Sequence, residues 1–286
     1  MTGPTLAFQV VDVFTGTAFT GNPLAVVLDT DGMPTKALQA LANEFNLSET
    51  AFPQQPTASA RAADYRLRIF TPSTELPFAG HPSVGAAWVL ARLGRVARGP
   101  VVQECGAGLL RLEVGEDDVA LVGGEPTDSG PVDPAPLLAA LGLDRAALAG
   151  RDARVCGTGL PFAHLPVGPG HLARAAPSPA ALADLGLAGV NAFTIDAQGR
   201  DGLAVRSRVF AGGVGVAEDP ATGSAQLGLG VWLAAEQLLD DDPRYVVRQG
   251  VEMGRPSVLR CRRVGDRFEV RGQVVPVASG EVVRPR

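Results

Sequence analysis

Two stretches of the chain repeat one spacing of glutamate, proline and glycine, and this repeat limits the folds open to the sequence. Glu75–Gly85 and Glu218–Gly228 both read E-x-P-x-x-G-x-x-x-x-G, at an offset of 143 residues. Three matches in the same order and at nearly constant offset indicate an internal duplication. The two other patterns are T-G-x-P-x-A at Thr20–Ala25 and Thr158–Ala163, and R-x-F at Arg68–Phe70 and Arg208–Phe210.

The duplication predicts two halves with the same order of elements. The 286 residues exceed the usual size of one domain, roughly 100–200 residues. A stretch rich in proline, glycine and aspartate, Gly123–Pro131, is predicted to divide the halves, which are residues 1–125 and 126–286. The predicted fold class is α+β, with two pseudo-symmetric halves and a cleft between them.

Hydrophobic periodicity predicts an apolar helix behind each repeated turn. Pro82–Leu93 and Ser224–Leu239 are predicted as helices, and Thr35–Phe45 as an amphipathic helix. Because Pro82–Leu93 is apolar on nearly every face, we expect it to lie inside a wrapping sheet. The predicted strands are Phe8–Phe14, Leu24–Leu28, Tyr65–Phe70, Ala204–Phe210, Tyr245–Gln249, Ser257–Arg263 and Arg267–Arg271.

Charge and composition exclude several classes of function. A formal net charge of -5 gives no basic surface for nucleic acid. The chain has no apolar run of about 18 residues or more and no signal-peptide pattern at its N-terminus, so we expect a cytoplasmic location. Cys105, Cys156 and Cys261 form no CxxC pair and are expected to be ordinary buried thiols.

No cofactor and no metal are predicted. Lys36, the single lysine, lies on a polar face near a helix start, which argues against a pyridoxal phosphate enzyme with a Schiff-base lysine. His81, His164 and His171 lack the spacing of a metal site, and the last two are interpreted as structural or solvated. Neither of the glycine-rich nucleotide-binding patterns is present.

The repeated turns are the best candidates for an anion site. Glu75–His81 and Glu218–Gly223 are glycine-containing turns that lead into helix N-termini, whose unpaired N–H groups and dipole favour a carboxylate. The alternative is that the glycines only permit tight turns.

The side chains at equivalent turn positions differ. His81 follows the first helix-starting glycine, and Ser224 follows the second. Asp219 occupies the position that Leu76 has in the first copy, and its carboxylate is interpreted either as a helix cap or as a group with a specific role. Glu49 follows the amphipathic helix, where position alone favours a solvated loop carboxylate.

Five strings together resemble the PhzF-like (phenazine biosynthesis) family, and they span most of the chain in the family's order. They are FTGNPLAVV at Phe19–Val27, LANEFNLSETAF at Leu41–Phe52, RIFTPSTELPFAGHPSVG at Arg68–Gly85, TGLPF at Thr158–Phe162 and EDPATGSA at Glu218–Ala225. The resemblance implies a fold like that of diaminopimelate epimerase, with two halves that are each a mixed β-sheet wrapped around a central helix. It also implies an exchange of C-terminal strands between the halves and a homodimer.

The resemblance assigns the site residues. The family's acid/base glutamate falls on Glu49, its motif histidine on His81, its second carboxylate on Asp219 and its hydroxyl ligand on Ser224. Substrate-binding positions are further expected at Gly80, Gly223, Thr222 and Asn22. Related epimerases and proline racemases place a cysteine in each equivalent turn, whereas these turns contain prolines and no cysteine, so a two-thiol mechanism is excluded.

The expected function is that of a cofactor-independent isomerase or epimerase acting on a small carboxylate-bearing substrate. Glu49 would take a proton from one carbon and return it to another carbon or to the opposite face, while Asp219 would orient an amine or hydroxyl or relay the second proton. The alternative is a non-catalytic carboxylate-binding or resistance protein, against which the retained Glu49 argues because its negative charge opposes anion binding. The loops Thr57–Asp64 and Gly212–Ala217 are expected to select the substrate.

Overall fold

The computed structural model describes residues 4–57, 62–212, 216–239 and 242–285. The chain forms two compact units: Met1–Val122 with Arg271–Arg286, and Gly123–Val270. The chain thus passes into the second unit just before the expected division at 125/126. Residues 271–286 belong with the first unit, so the expected second half is not continuous to its end.

The first unit contains a mixed sheet and two helices in its described part. The helices are α1 (Thr35–Phe45) and α2 (Gly80–Arg92). The strands are β1 (Thr5–Val13), β2 (Asn22–Val27), β3 (Thr50–Gln54), β4 (Tyr65–Phe70), β5 (Glu75–Leu76), β6 (Gly99–Cys105), β7 (Gly108–Val114) and β8 (Asp118–Val122). The pairs β2–β3 and β4–β6 are parallel, whereas β1–β2, β3–β4, β6–β7 and β7–β8 are antiparallel.

Helix α2 forms the centre of the first unit. Residues 80–90 of this helix are all buried, and the helix packs against β1 to β4, β7 and β8. Gly85 permits this close approach, because a Cβ at this position would lie 2.6 Å from Leu24 Cδ2 and 2.9 Å from Val13 Cγ2. The predicted arrangement of an apolar helix inside a wrapping sheet is confirmed.

The second unit repeats this architecture with additional short helices. Its described helices are α3 (Ala135–Ala140), α4 (Pro179–Asp184) and α5 (Gly223–Ala235), with 3₁₀ turns at Arg145–Ala147 and Leu172–Arg174. Its strands are β9 (Thr127–Val132), β10 (Ala153–Gly157), β11 (Phe162–Pro166), β12 (Val190–Gly199), β13 (Gly202–Ala211), β14 (Val216–Asp219), β15 (Arg244–Gln249) and β16 (Ser257–Val264). The strand β17 (Arg267–Val283) begins here, and its part from Val274 to Val283 pairs antiparallel with β1.

Helix α5 is the counterpart of α2. Ten of its residues are buried, and it packs against β9, β10, β11 and β16. A Cβ on Gly228 would lie 2.8 Å from both Cys156 O and His164 Nε2. The last glycine of each repeated motif therefore stands where the buried helix meets a strand of its own unit.

The repeated arginine and glutamate residues form the same contact in both units. Arg68 donates through Nε and Nη2 to the two carboxylate oxygens of Glu75 at 2.7 and 2.6 Å. Arg208 makes the corresponding pair with Glu218, with both distances 2.8 Å. Each guanidinium also lies about 5 Å from the ring of the phenylalanine two residues later. Two-point arginine–carboxylate pairs are geometrically specific, so they fix the hairpin that leads into each buried helix.

Several predicted boundaries are corrected by the structure. Helix α2 begins at Gly80 rather than Pro82, so His81 lies in the first helical turn. Helix α5 ends at Ala235, before Gln237 with its left-handed φ of 58°, and not at Leu239. The predicted strand at Arg267–Arg271 is only the start of β17, and the predicted linker contains β9. Among the described helices, none is both long and apolar enough to span a bilayer.

Candidate active site

Glu49 lies in a turn that is fixed at both ends. Helix α1 ends at Asn46, which adopts a left-handed conformation with φ 49°, and β3 begins at Thr50, which pairs in parallel with Ala25 of β2. The Glu49 side chain is only 13% exposed, so the expectation of a solvated loop carboxylate is wrong. Burial raises the pKa of Glu49, and the neighbouring Ser48 hydroxyl offsets part of this increase.

His81 is held beside this carboxylate by the first turn of α2. Its Nε2 lies 3.5 Å from Glu49 Oε2, and the imidazole is 5% exposed. No described residue forms a hydrogen bond with Glu49 Oε2. An imidazole N–H directed at a buried carboxylate can stabilise the ionised form of that group and can also donate to charge that develops next to it.

Asn22 determines which nitrogen of His81 carries the proton. Asn22 Nδ2 lies 3.3 Å from His81 Nδ1, while the Ser48 hydroxyl donates to Asn22 Oδ1 at 3.4 Å. With the amide donating to Nδ1, the network assigns the imidazole proton to Nε2, which faces Glu49. The Asn22 side chain is fully buried and contacts the histidine. Its expected role in substrate binding stays a prediction.

Asp219, Thr222, Gly223 and Ser224 lie together in the second unit, where β14 leads into α5. The Asp219 side chain is buried, and the Thr222 hydroxyl donates to its Oδ2 at 2.5 Å. Thr222 is the N-cap residue of α5, but its side chain bonds to Asp219 and does not cap the helix. Asp219 therefore supports the helix N-terminus indirectly, through the residue that occupies the cap position.

Gly80, Gly223 and Ser224 lie in the first turns of the two buried helices. Gly80 and Gly223 are the first residues of α2 and α5, so their N–H groups lie at the positive ends of these helices. Ser224 is partly exposed. Parts of the two loops expected to select the substrate, residues 58–61 and 213–215, lie outside the described residues.

The cysteines and the remaining buried histidine do not contribute to these clusters. Cys105, Cys156 and Cys261 are free and buried, and burial raises the pKa of each thiol, that of Cys156 to about 12. Burial lowers the pKa of His164 to about 3, so this imidazole is neutral and structural, as expected. Lys36 is exposed in the first turn of α1, also as expected.

Sequence reasoning missed two glutamines that contact the Asp219 turn. Gln249 of β15 and Gln226 of α5 are fully buried and bonded to each other at 2.8 Å. Gln226 could have been found, because it is the one polar side chain in the otherwise apolar segment Ala225–Ala235. A polar residue that is buried on a helix with no exposed face requires hydrogen-bond partners.

Sequence and fold both match known proteins. The family model described as phenazine biosynthesis-like protein matches residues 11–280. A trans-2,3-dihydro-3-hydroxyanthranilate isomerase of Pseudomonas chlororaphis is 32% identical over 286 residues, which cover 96% of this chain and 99% of the relative. The crystal structure of a PhzF-family phenazine biosynthesis protein of Bacillus anthracis has a TM-score of 0.85 at 23% identity and covers 98% of this chain and 99% of that one. A probable proline racemase of Agrobacterium radiobacter has a TM-score of 0.65 at 14% identity, over 97% and 93% of the two chains.

The similar proteins indicate which fold the chain has and whether it is an enzyme or a non-catalytic binding protein. The two solved structures show that the fold is shared with PhzF-family proteins and with a proline racemase, as the resemblance implied. The isomerase relative, which matches along nearly its whole length, argues against the non-catalytic alternative. With a family model that covers residues 11–280, the chain belongs to the phenazine biosynthesis-like (PhzF) family and is an isomerase.

Proposed function

We propose that this isomerase moves a proton within a small carboxylate-bearing substrate, with Glu49 as the acid/base and without a cofactor. The observation that supports this proposal is the buried carboxylate of Glu49, whose pKa is raised and whose Oε2 lies 3.5 Å from His81 Nε2. A carboxylate serves best as both base and acid when its pKa is shifted towards the working pH. A solvated glutamate would be too weak a base to take a carbon-bound proton.

The relative's substrate indicates which class of compound to test first. In trans-2,3-dihydro-3-hydroxyanthranilate, the ring carbon that carries the hydroxyl is allylic to a diene conjugated with the carboxylate. Removal of its proton spreads negative charge over the diene and the carboxylate, and reprotonation at another carbon gives an isomer. The reaction transfers one proton and requires no oxidant, so one glutamate that accepts and returns the proton is sufficient.

The other site residues receive roles that fit their surroundings. His81, whose Nε2 lies 3.5 Å from Glu49 Oε2, donates its Nε2 proton to the charge that develops in the substrate, and Asn22 positions His81. Ser224 and the N–H groups near Gly80, Gly223 and Thr222 bind the substrate carboxylate, because helix N-termini favour anions. Asp219 orients the substrate amine or hydroxyl or relays the second proton.

Proton NMR in deuterated buffer tests the assignment of Glu49. Wild-type protein is expected to introduce deuterium into trans-2,3-dihydro-3-hydroxyanthranilate as it isomerises, and Glu49→Gln is expected to lose both processes. Glu44→Gln is the matched control, because Glu44 is an exposed residue of the preceding helix. Full isomerisation by Glu49→Gln would show that another group is the base. If the wild type but not Glu49→Gln converts other dienoic or amino acids, the assignment of Glu49 as the base stands and the substrate assignment changes.

We further propose that the two units arose by duplication, that the protein forms a homodimer and that it acts in the cytoplasm. Duplication is supported by the paired contacts of Arg68 with Glu75 and of Arg208 with Glu218. The homodimer follows from the family resemblance, and light scattering of the purified protein would test it.

A further inference from the structure

A buried amide side chain outside the repeated motifs holds the Asp219 turn. Gln249 ends β15 and is fully buried. Its Nε2 donates to Asp219 O at 2.7 Å and to Thr222 Oγ1 at 3.0 Å, while its Oε1 accepts from Thr222 N at 3.2 Å and from Gln226 Nε2 at 2.8 Å. A carboxamide has two N–H donors and two acceptor lone pairs, so this side chain uses its full capacity.

These hydrogen bonds run towards the Asp219 carboxylate. Gln249 donates to the Thr222 hydroxyl, and that hydroxyl donates to Asp219 Oδ2. Buried hydrogen bonds in series polarise one another, so each donor strengthens the next. The additional bond from Gln249 to Asp219 O fixes the main chain that carries the carboxylate. One amide therefore restrains both the backbone and the side chain of the turn.

The first unit has an equivalent strand end, where the buried amide is that of Gln103 and donates to Ser83 Oγ at 2.9 Å. Ser83 Oγ in turn donates to Ala79 O at 2.9 Å. A Cβ on Gly250 would lie 3.0 Å from Pro220 Cα, and a Cβ on Gly106 would lie 2.8 Å from Pro77 Cα. In both units, a glycine after a strand thus packs against the proline of the repeated turn. The residues immediately before these glycines occupy equivalent positions.

Three positions change together between the two units. The second unit has a carboxylate, a hydroxyl and an amide at these positions, whereas the first unit has an apolar side chain, a methyl group and a thiol. The first unit builds the same strand–turn–helix element without an amide at the position of Gln249, so the fold does not require one there; its own buried amide, Gln103, bonds to Ser83 of the helix instead. The amide accompanies the carboxylate, which indicates that it serves the carboxylate. The pairs are Asp219 and Leu76, Thr222 and Ala79, and Gln249 and Cys105.

We propose that Gln249 is a positioning residue of the isomerase, which holds the Asp219 carboxylate and the start of α5 in the geometry that the substrate requires. This inference rests on the proposed function, because it assigns Asp219 to substrate handling. Displacement of a reacting or orienting group by about 1 Å can lower the rate roughly 100-fold. Gln249→Leu, which keeps the side-chain size and loses all four hydrogen bonds, is expected to lower kcat by about 10- to 100-fold.

The same strand supplies a matched control. Tyr245 is fully buried in β15, and its hydroxyl donates to Gln226 O in α5 at 2.8 Å. Tyr245→Phe removes one buried hydrogen bond and is expected to keep kcat within about twofold of the wild-type value. A general loosening of β15 would lower the activity of both variants, whereas loss of the restraint lowers only that of Gln249→Leu.

A double-mutant cycle with Asp219→Asn tests whether Gln249 acts through Asp219. Asparagine retains an acceptor for the Thr222 hydroxyl but loses the charge. If Gln249 acts through the carboxylate, adding Gln249→Leu to Asp219→Asn is expected to lower kcat by less than about threefold more. Fully multiplicative losses would overturn the proposal, as would a folded Gln249→Leu variant with kcat within about twofold of wild type.

Amide hydrogen exchange tests the restraint separately from catalysis. The Thr222 N–H bonds to Gln249 Oε1 in the folded protein, so Gln249→Leu is expected to accelerate its exchange at least about tenfold. Unchanged exchange at Thr222 would overturn the restraint even if activity fell. Full turnover by Glu49→Gln, or no turnover by the wild type, would overturn the proposed function alone, and the exchange measurement would still decide the role of Gln249.

Discussion

Replacement of Glu49 by glutamine is expected to stabilise the folded protein at alkaline pH while it removes the proposed base. Burial raises the pKa of Glu49 above its value in the unfolded chain, because a poorly solvated site disfavours the charge. Below the unfolded-state pKa, both states are protonated and the group costs nothing. As pH rises through the folded-state pKa, the folded protein must ionise a buried carboxylate, so its free energy of unfolding falls. Glutamine resembles the protonated carboxyl and never ionises.

The size of the effect follows from the surroundings of the carboxylate. The side chain is 13% exposed, and Oε2 has no hydrogen bond to a described residue. A buried polar group without such a partner costs ~1–3 kcal/mol, and a charged one costs more, so the ionised carboxylate is less stable here than a neutral amide by an energy of the same order. We therefore expect Glu49→Gln to increase the free energy of unfolding by ~1–3 kcal/mol at pH 8. For a chain of this size, that gain raises Tm by about 2–6 °C.

Thermal unfolding followed by circular dichroism at pH 5 and pH 8 measures this difference. The gain in Tm is expected to be larger at pH 8, and the exposed control Glu44→Gln is expected to leave Tm unchanged at both values. A Tm of Glu49→Gln at or below that of the wild type at pH 8 would refute the reasoning. Such a result would mean that His81 is protonated and that its contact with Glu49 is a stabilising ion pair.

Three further predictions concern the contact of Asn22 with His81, the buried imidazole of His164 and the racemisation of amino acids. Asn22→Leu is expected to lower kcat about fivefold with little change in KM, because one hydrogen bond to His81 contributes ~1 kcal/mol. An unchanged kcat in steady-state kinetics would reject the assigned tautomer. Burial lowers the pKa of His164 to about 3, so this imidazole stays neutral in the folded protein at pH 5. In the unfolded chain the same imidazole takes up a proton between pH 7 and pH 5. The free energy of unfolding is therefore expected to fall by about 2 kcal/mol over this range. Urea titrations of His164→Leu should show a flatter dependence over this range, and an unaltered slope would contradict this account. The wild type is expected not to racemise free amino acids, and polarimetry that detected inversion would require a second base.

Residues that recur in both halves made the architecture predictable. The motif glycines and the arginine–glutamate pairs are repeated because each packs one strand–turn–helix element, and that packing depends on residues near in sequence. Helix α1 matches its predicted bounds because its apolar residues have helical periodicity and Asn46 ends it in a left-handed conformation. Strand β4 matches for a similar local reason, since β-branched and aromatic residues alternate with arginine.

Elements that depend on distant partners were missed or misjudged. Strand β9 reads Thr-Asp-Ser-Gly-Pro-Val, which locally resembles a linker, and it becomes a strand by pairing with β10. The burial of Glu49 likewise depends on α2, which brings His81 from 32 positions further along the chain. Local composition contains no information about either contact, and the family resemblance alone supplied the assignment of Glu49.

The asymmetry between the units favours proton transfer by one base over inversion by two. An enzyme that inverts a carbon with two bases needs one on each face, and pseudo-symmetric halves supply them from equivalent positions. The parallel pairing places Thr50 opposite Ala25 in the first unit and Val190 opposite Ala163 in the second. The residue before Val190 is glycine, so the second unit has no counterpart of Glu49. With the thiols buried elsewhere, the proposed base Glu49 would both take and return the proton unless Asp219 relays it. A single base would restrict the chemistry to shifts between carbons that the same group can reach.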